Sequence, residues 1–254
     1  MSVSNVRILV QDGHRSAVLG ATSEAMPIAN TQNPFKSRPW RSTDTAEQTI
    51  TGVMDITIAE GELFGISIAH HNLSSAAEVT VALKSGMTTV DTVTVLDNDT
   101  TTWDYWGVAE GDIDQYLITI DDPTNLAGYF QLGQILLGRA ITFAYNFEIG
   151  ATHMWRQDVE HEYTAGQSLR SEGTLLMPRE SSINLKKLSP ADRIVLVREL
   201  RRAGQAAPLY LSLYPGAGGA LESDHAYVAK CVSNLSTKQS GQAHWDSQLL
   251  FKEA

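Results

Sequence analysis

The chain has one cysteine, Cys231, in 254 residues. This excludes an internal disulfide framework and any multi-cysteine zinc cluster. No apolar run approaches the ~20 residues needed to span a bilayer. Met1 to Val10 lacks a cationic stretch followed by an apolar one, so no secretory signal is expected there. Bases are also scarce. The 19 Lys+Arg face 29 Asp+Glu, a net charge of −10, which argues against broad, nonspecific nucleic-acid binding. The scarcity is local: between Lys84 and Arg139 there is no Lys or Arg, while Asp91, Asp97, Asp99, Asp104, Glu110, Asp112, Asp114, Asp121 and Asp122 fall in that stretch. By contrast, 150–254 holds 11 acids and 12 bases. A change this abrupt predicts two units, 1–148 and 149–254. With 43% hydrophobic and 19% charged residues, the chain has the composition of folded domains.

The first unit is patterned with period two. Ile50, Met54, Ile56 and Ile58 share one parity, and Thr51, Asp55 and Thr57 interleave. Phe64, Ile66 and Ile68, then Val79, Val81 and Leu83, then Tyr116, Ile118 and Ile120 repeat it, before an apolar run from Gln134 to Phe147. Short alternating segments separated by Gly, Asp, Asn and Ser predict antiparallel strands with one buried face. A β-sandwich closes that many short strands. Ahead of them, Gly20 to Ser42 is rich in Pro, Asn and Ser. Pro27, Pro34 and Pro39 prevent ladder pairing through it. Phe35 and Trp40 favour wrapping of this segment over the sandwich, because large rings gain by burial.

The order of pieces here resembles the discoidin-like, or galactose-binding-like, jelly-roll sandwich over roughly Ala17 to Phe147. That family opens with a small-residue stretch, then Pro–x–x–Asn, then a turn to a Trp, and closes with an aromatic–x–x–Gly–x–(Ile/Leu) strand pair. Ala21–Ser23, Pro27–Asn30, Trp40 and Phe130–Gly138 hold those places. Thr31, Gln32 and Asn33 stand where the family often has an Asp–Gly pair near a structural cation, which puts a metal site there in doubt.

In the second unit Met154 to Tyr163, Ser171 to Met177 and Ile183 to Leu188 read as strands. The helix signal after them is the strongest in the chain. Ser189 is a good N-cap, Pro190 suits the first helical position, and Gly204 supplies the stop, predicting a helix over 189–203. Ile194, Val197 and Leu200 are expected to face the core, with Arg198, Arg201 and Arg202 toward the C-terminal end, where the dipole favours cations. Strands resume at Leu209–Leu213, Tyr227–Val232 and Trp245–Phe251. Strands, one helix, then strands resembles the tail-tube-like β-barrel of tailed bacteriophages, which builds rings in tube, distal-tail and baseplate proteins. The predicted fold class is therefore mainly β: a jelly-roll sandwich followed by a tail-tube-like barrel with one α-helix.

Candidate chemistry is sparse. Trp103, Tyr105 and Trp106 cluster beside Asp104 and could contact a glycan or a protein, or could plug the sandwich end. Asp97-Asn98-Asp99 resembles a fragment of a calcium loop, but calcium needs six to eight oxygens, and the distal glutamate and the glycine of a complete loop are missing. Turn residues explain it as well. His70 and His71, as consecutive strand residues, point to opposite faces and cannot easily share a metal. His153 and His161, near Glu160 and Glu162, lack the His-Glu-x-x-His spacing. Gly216-Ala217-Gly218-Gly219 lacks the Lys-Ser/Thr of a phosphate loop and reads as a hairpin tip. Cys231 falls within an expected strand, the usual setting of an inert buried thiol. Three glycosylation sequons, such as Asn72-Leu73-Ser74, have no bearing without a secretory signal. No nucleophile sits in a triad or elbow pattern, so no enzyme, catalytic residue, metal or cofactor is expected.

Two functions compete. In the first, the chain is a structural component of a phage tail tip or baseplate, made in the host cytoplasm and carried in the virion. The second unit would form a six-fold or pseudo-six-fold ring with itself and other tail proteins, around a channel through which DNA passes. Arg193, Arg198, Arg201 and Arg202 would face Glu160, Glu162, Glu172 and Glu180 of the next subunit. In the second, the first unit is a carbohydrate-binding module for host-surface or other glycans.

Overall fold

The computed structural model describes residues 5–33, 37–99, 102–148, 151–156, 159–163, 169–173 and 177–254, apart from the side chains at 96–99, 160, 161 and 169–173. Phe35 lies outside these residues. The chain opens with β1 (Arg7–Asp12), β2 (Val18–Ala21) and a short β3 (Trp40–Arg41). Next come β4 (Gln48–Ile58), β5 (Leu63–Ala69), β6 (Glu78–Ser85), β7 (Thr88–Asp99), β8 (Thr102–Val108), β9 (Ile113–Asp121), β10 (Gln131–Leu132) and β11 (Gln134–Ile141). The remainder is β12 (Thr152–Trp155), β13 (Val159–Tyr163), β14 (Leu169–Gly173), β15 (Arg179–Leu188), α1 (Pro190–Ala203), β16 (Leu209–Ser212), α2 (Gly219–Ser223), β17 (Ala226–Cys231), β18 (Lys238–Gly241) and β19 (His244–Glu253).

The expected alternation builds a sandwich. One layer runs β2-β4-β9-β6-β7, the other β7-β8-β5-β11-β1, with β7 long enough to pair in both. Ile50, Val79, Val81, Ile118 and Ile120 from the first layer meet Phe64, Ile66, Ile68, Ile135 and Leu137 from the second, all fully buried. Trp40 is fully buried in this core, and its indole N–H donates to the Ser23 carbonyl at 3.2 Å, so the proline-rich segment lies on the sandwich.

Among the described residues the C-terminal half forms a curled half-barrel sheet where a separate barrel was expected. Among the described residues its strands run β12-β15-β19-β17-β16 and continue through β1 into β11, as one open, curled half-barrel sheet joined to the sandwich. The cause is β1. It pairs with β11 on one side and β16 on the other. Ile8 and Val10 pack with Leu185, Leu211 and Phe251, while Leu9 points the other way to Leu136, Tyr210 and Val228. Gly138 permits the close approach at a bulge in β1: a Cβ there would lie 1.7 Å from the Gln11 carbonyl oxygen. Because the C-terminal strands cover its back, β11 is buried on both faces. This accounts for its continuous apolar run, which alternation alone would not give.

The predicted helix is present as α1. Ser189 caps it by accepting from the Asp192 N–H at 3.1 Å, and Gly204 ends it at φ 65°. The buried face differs from the expected one. Leu196 and Leu200 are buried with Glu199 between them, whereas Ile194 is 58% exposed. At about 100° per residue, steps of three drift backward around a helix and leave the face that a step of four keeps. No helix among the described residues is long and apolar enough to cross a membrane.

Candidate functional site

One end of the sandwich is built from chain segments far apart in sequence. β3 and β10 pair there, Arg41 opposite Gln131 and Trp40 opposite Leu132. The loops around them are fixed by side chains. The Asn72 amide donates to the Tyr129 carbonyl at 2.9 Å, and its oxygen accepts the Gln131 N–H at 2.7 Å. Asp122, fully buried, accepts from the Ser74 N–H at 2.8 Å, the Ser74 hydroxyl at 2.7 Å and the Asn125 amide at 3.2 Å. Burial raises the carboxyl pKa, but these bonds outweigh it together and hold Asp122 below the usual carboxylate value. On this frame the Arg41 guanidinium donates to Gln131 Oε1 at 2.8 Å and lies 4.2 Å from the centroid of the half-buried Tyr129 ring. The end thus offers an aromatic ring, a guanidinium and a carboxamide, held against one another.

The residues singled out in the sequence lie elsewhere. Trp103, Tyr105 and Trp106 are on β8, within a strand and not between strands, so they alternate between faces. Trp103 is 2% exposed in the sandwich core, edge-on to His71 at 5.3 Å. Tyr105 packs beside Phe64 at 5.9 Å. Trp106 is on the opposite face, donating to Asp104 Oδ2 at 3.0 Å and stacked on Tyr210. The three rings do not share one exposed platform.

The four arginines of α1 are on the surface, and three are already engaged. Arg193 donates to Thr237 Oγ1 at 3.1 Å and lies 5.4 Å from the Trp245 ring centroid. Arg198 pairs with Glu199 at 2.6 Å, and Arg202 reaches Gln11 at 3.0 Å and Glu199 at 3.8 Å. Arg201 is exposed. Of the acids expected opposite them, Glu162 is exposed and Glu180 pairs with Lys252 at 3.3 Å; the side chains of Glu160 and Glu172 lie outside the described residues.

Asp97 and Asp99 have backbone positions at the end of β7, not in a loop, and their side chains also lie outside the described residues. Among the described residues no group of three or more His, Cys, Asp or Glu is placed to hold a metal. The Gly216–Gly219 stretch opens α2, and Glu222 accepts the Gly216 and Gly218 N–H groups at 2.6 and 2.8 Å. A carboxylate of the chain itself therefore occupies the position a phosphate would take. Cys231 is a buried free thiol.

Sequence reasoning missed Arg41, Asn72, Tyr129 and Gln131. Their spacing carries no local motif, and only the pairing of β3 with β10 brings them together.

No protein-family model and no curated protein sequence matches the chain. Solved structures similar to it include the family 32 carbohydrate-binding module of Clostridium perfringens NanJ in complex with galactose, at 14% identity and TM-score 0.40, covering 53% of this chain and 99% of that one. The lectin domain of lectinolysin complexed with Lewis B antigen gives 11% identity and TM-score 0.42 over 52% and 98%. A Streptococcus pneumoniae fucose binding module, SpX-3, gives 9% and 0.40 over 50% and 97%.

Proposed function

We propose that this chain is a non-catalytic glycan-binding protein whose sandwich end receives a sugar. The observation that carries the reading is the Arg41–Tyr129–Gln131 group. A sugar presents an apolar C–H face and a rim of hydroxyls. An aromatic ring suits the first, and guanidinium and carboxamide donors and acceptors suit the second. Affinity depends on such groups being held before the ligand arrives, and the Asn72 and Asp122 bonds hold the loops that carry them. A glycan array probed with the full chain tests this. Wild type should bind at least one glycan, and the double variant Arg41→Ala, Tyr129→Ala should lose at least tenfold in affinity while keeping its thermal midpoint near wild type. Absence of binding across the array, or an unaffected double variant, overturns the reading.

A second reading is a ring-forming phage tail-tip component in the virion, with residues 149–254 contacting copies of the chain and other tail proteins. It is supported by β13 and β14, which pair only with each other among the described residues. A lone two-stranded hairpin is marginal in water and gains by lying against a partner. Reconstruction of a parent virion with this chain absent from the tail removes that reading.

A further inference from the structure

Arg41 brings a positive charge to the sandwich end, and no carboxylate of the chain pairs with it among the described residues. Two other half-buried arginines do have such a partner: Arg139 meets Glu62 at 2.7 Å and Arg179 meets Glu253 at 3.1 Å. The acids that flank β3 in the sequence hold their own turns instead. Glu24 accepts the Ile28 N–H at 3.2 Å. Asp44 accepts the Ala46 N–H at 3.0 Å and the Gln48 amide at 3.1 Å. Asp122 is taken up by Ser74 and Asn125. The guanidinium is thus left without a counter-charge on a chain whose net charge is −10.

Its surroundings fix how a partner can approach. Nε is buried. One Nη2–H goes to Gln131 Oε1 at 2.8 Å, and the Tyr129 ring lies 4.2 Å from the guanidinium carbon. What remains is the outer end of the fork: both Nη1–H groups and the second Nη2–H, without a partner among the described residues. The Gln131 amide adds N–H donors, since its oxygen already serves Arg41. Asn72 has its amide spent on the Tyr129 carbonyl and its oxygen on the Gln131 N–H. Apart from the Tyr129 hydroxyl, which acts either way, the groups left over around Arg41 are mainly donors. The hydroxyls of a neutral sugar donate as well as accept, and need acceptors in return. A carboxylate only accepts, and its two oxygens match two N–H groups of an arginine fork.

We infer that the sandwich end takes a carboxylated sugar, a hexuronate or a sialate, whose carboxylate is bound end-on by the Nη1–H and Nη2–H groups of Arg41 and supported by the Gln131 amide. The inference rests on the sandwich-end reading and names the ligand class of that site. The negative charge of the whole chain does not oppose it strongly. At physiological ionic strength exposed charges are screened beyond about 8 Å, so a guanidinium in contact outweighs distant acids.

Titration calorimetry and saturation-transfer NMR with the full chain test it. The probes are methyl glycosides of glucuronic, galacturonic and N-acetylneuraminic acid, each paired with its own carboxyl methyl ester. At pH 7 at least one acid should bind at least tenfold more tightly than its ester, and which acid does so separates a hexuronate from a sialate. Arg41→Gln should bring that acid down to the level of its ester. Gln131→Glu should do the same by placing a carboxylate of the chain on the fork, with circular dichroism and thermal midpoint unchanged. Acid and ester binding within twofold of each other, or a preference that survives both variants, overturns the inference. If neutral glycans bind without any preference for acids, and the Arg41→Ala, Tyr129→Ala variant loses that binding, the inference fails and the sandwich-end reading stands. If no probe and no glycan on the array binds, both fail.

Discussion

Trp106 stacks on Tyr210 with ring centroids 5.6 Å apart and planes at 23°, joining a sandwich strand to a strand of the C-terminal half. The contact sits among Leu9, Ala69, Leu136 and Val228, on the back of the sheet that β1 runs through. The two halves therefore share a core as well as a sheet. Trp106→Ala should cost about 2–4 kcal/mol, somewhat below a fully buried tryptophan because the ring is only partly buried. In urea the variant should still unfold in one transition with a lowered midpoint. Two separated transitions, with only one of them shifted, would show that the halves fold independently.

His14 predicts a loss of stability in acid. Its Nε2 lies 2.9 Å from Thr31 Oγ1, and that hydroxyl donates its proton to the Ile28 carbonyl at 2.7 Å. Thr31 must then accept from Nε2–H, which leaves Nδ1 to accept from the Tyr116 hydroxyl. The buried neutral ring has no place for a second proton, and burial pushes its pKa down from 6.5 to about 3. The unfolded chain takes up a proton below about pH 6.5 and the folded chain does not until about 3. Stability should fall as pH drops through that window, by about 1.4 kcal/mol per pH unit for this group. Asp12 acts in the opposite sense: burial raises it to about 7, so it favours the fold less as pH rises from 3.8 toward 7. The two groups nearly offset each other between about pH 4 and 6.5, so in urea denaturation from about pH 7 to about pH 4 His14→Gln should gain stability relative to wild type as the pH falls. An unchanged slope would place the protonation elsewhere.

Leu200→Ala should cost about 2–5 kcal/mol, as for other buried leucines. Ile194→Ala should stay within about 0.5 kcal/mol, since Ile194 faces solvent. Thermal denaturation of the pair decides which face of α1 is buried, and equal losses would contradict the Leu196–Leu200 face.

The strands of the sandwich and the ends of α1 were legible because each is set by local chemistry: period-two alternation at Ile50–Ile58 or Val79–Leu83, and the Ser189, Pro190 and Gly204 signals. The path of β1 was not. Arg7–Asp12 was not picked out as a strand, and nothing in it says that its partners are residues 138–141 and 210–212. That one pairing turns the expected barrel into an open sheet continuous with the sandwich. The candidate site was illegible for the same reason. Arg41 and Tyr129 meet only through the pairing of β3 with β10. Clusters of adjacent residues such as Trp103, Tyr105 and Trp106 drew notice instead, and strand alternation splits them between two cores.

Glu199 is 2% exposed on α1, with Arg198 at 2.6 Å and Arg202 at 3.8 Å. A carboxylate so buried depends on its partners. Both arginines are more than half exposed, however, and can rehydrate when the pair is broken. Glu199→Gln should therefore cost only about 1–2 kcal/mol, in the range of a single hydrogen bond to a charged group. Arg193→Ala should cost about 1 kcal/mol through its contact with Trp245 and its bond to Thr237. Arg201→Ala should change stability by less than about 0.5 kcal/mol. Three chemically similar arginine and glutamate changes on one helix are thus expected to rank Glu199, Arg193, Arg201. The rank matters for the ring reading, which would use the same helix. Arg201→Glu leaves the fold intact, so a loss of association between this variant and a tail partner in sedimentation velocity would report an interface. The same loss for Arg193→Glu would not, because that side chain already holds α1 to β19.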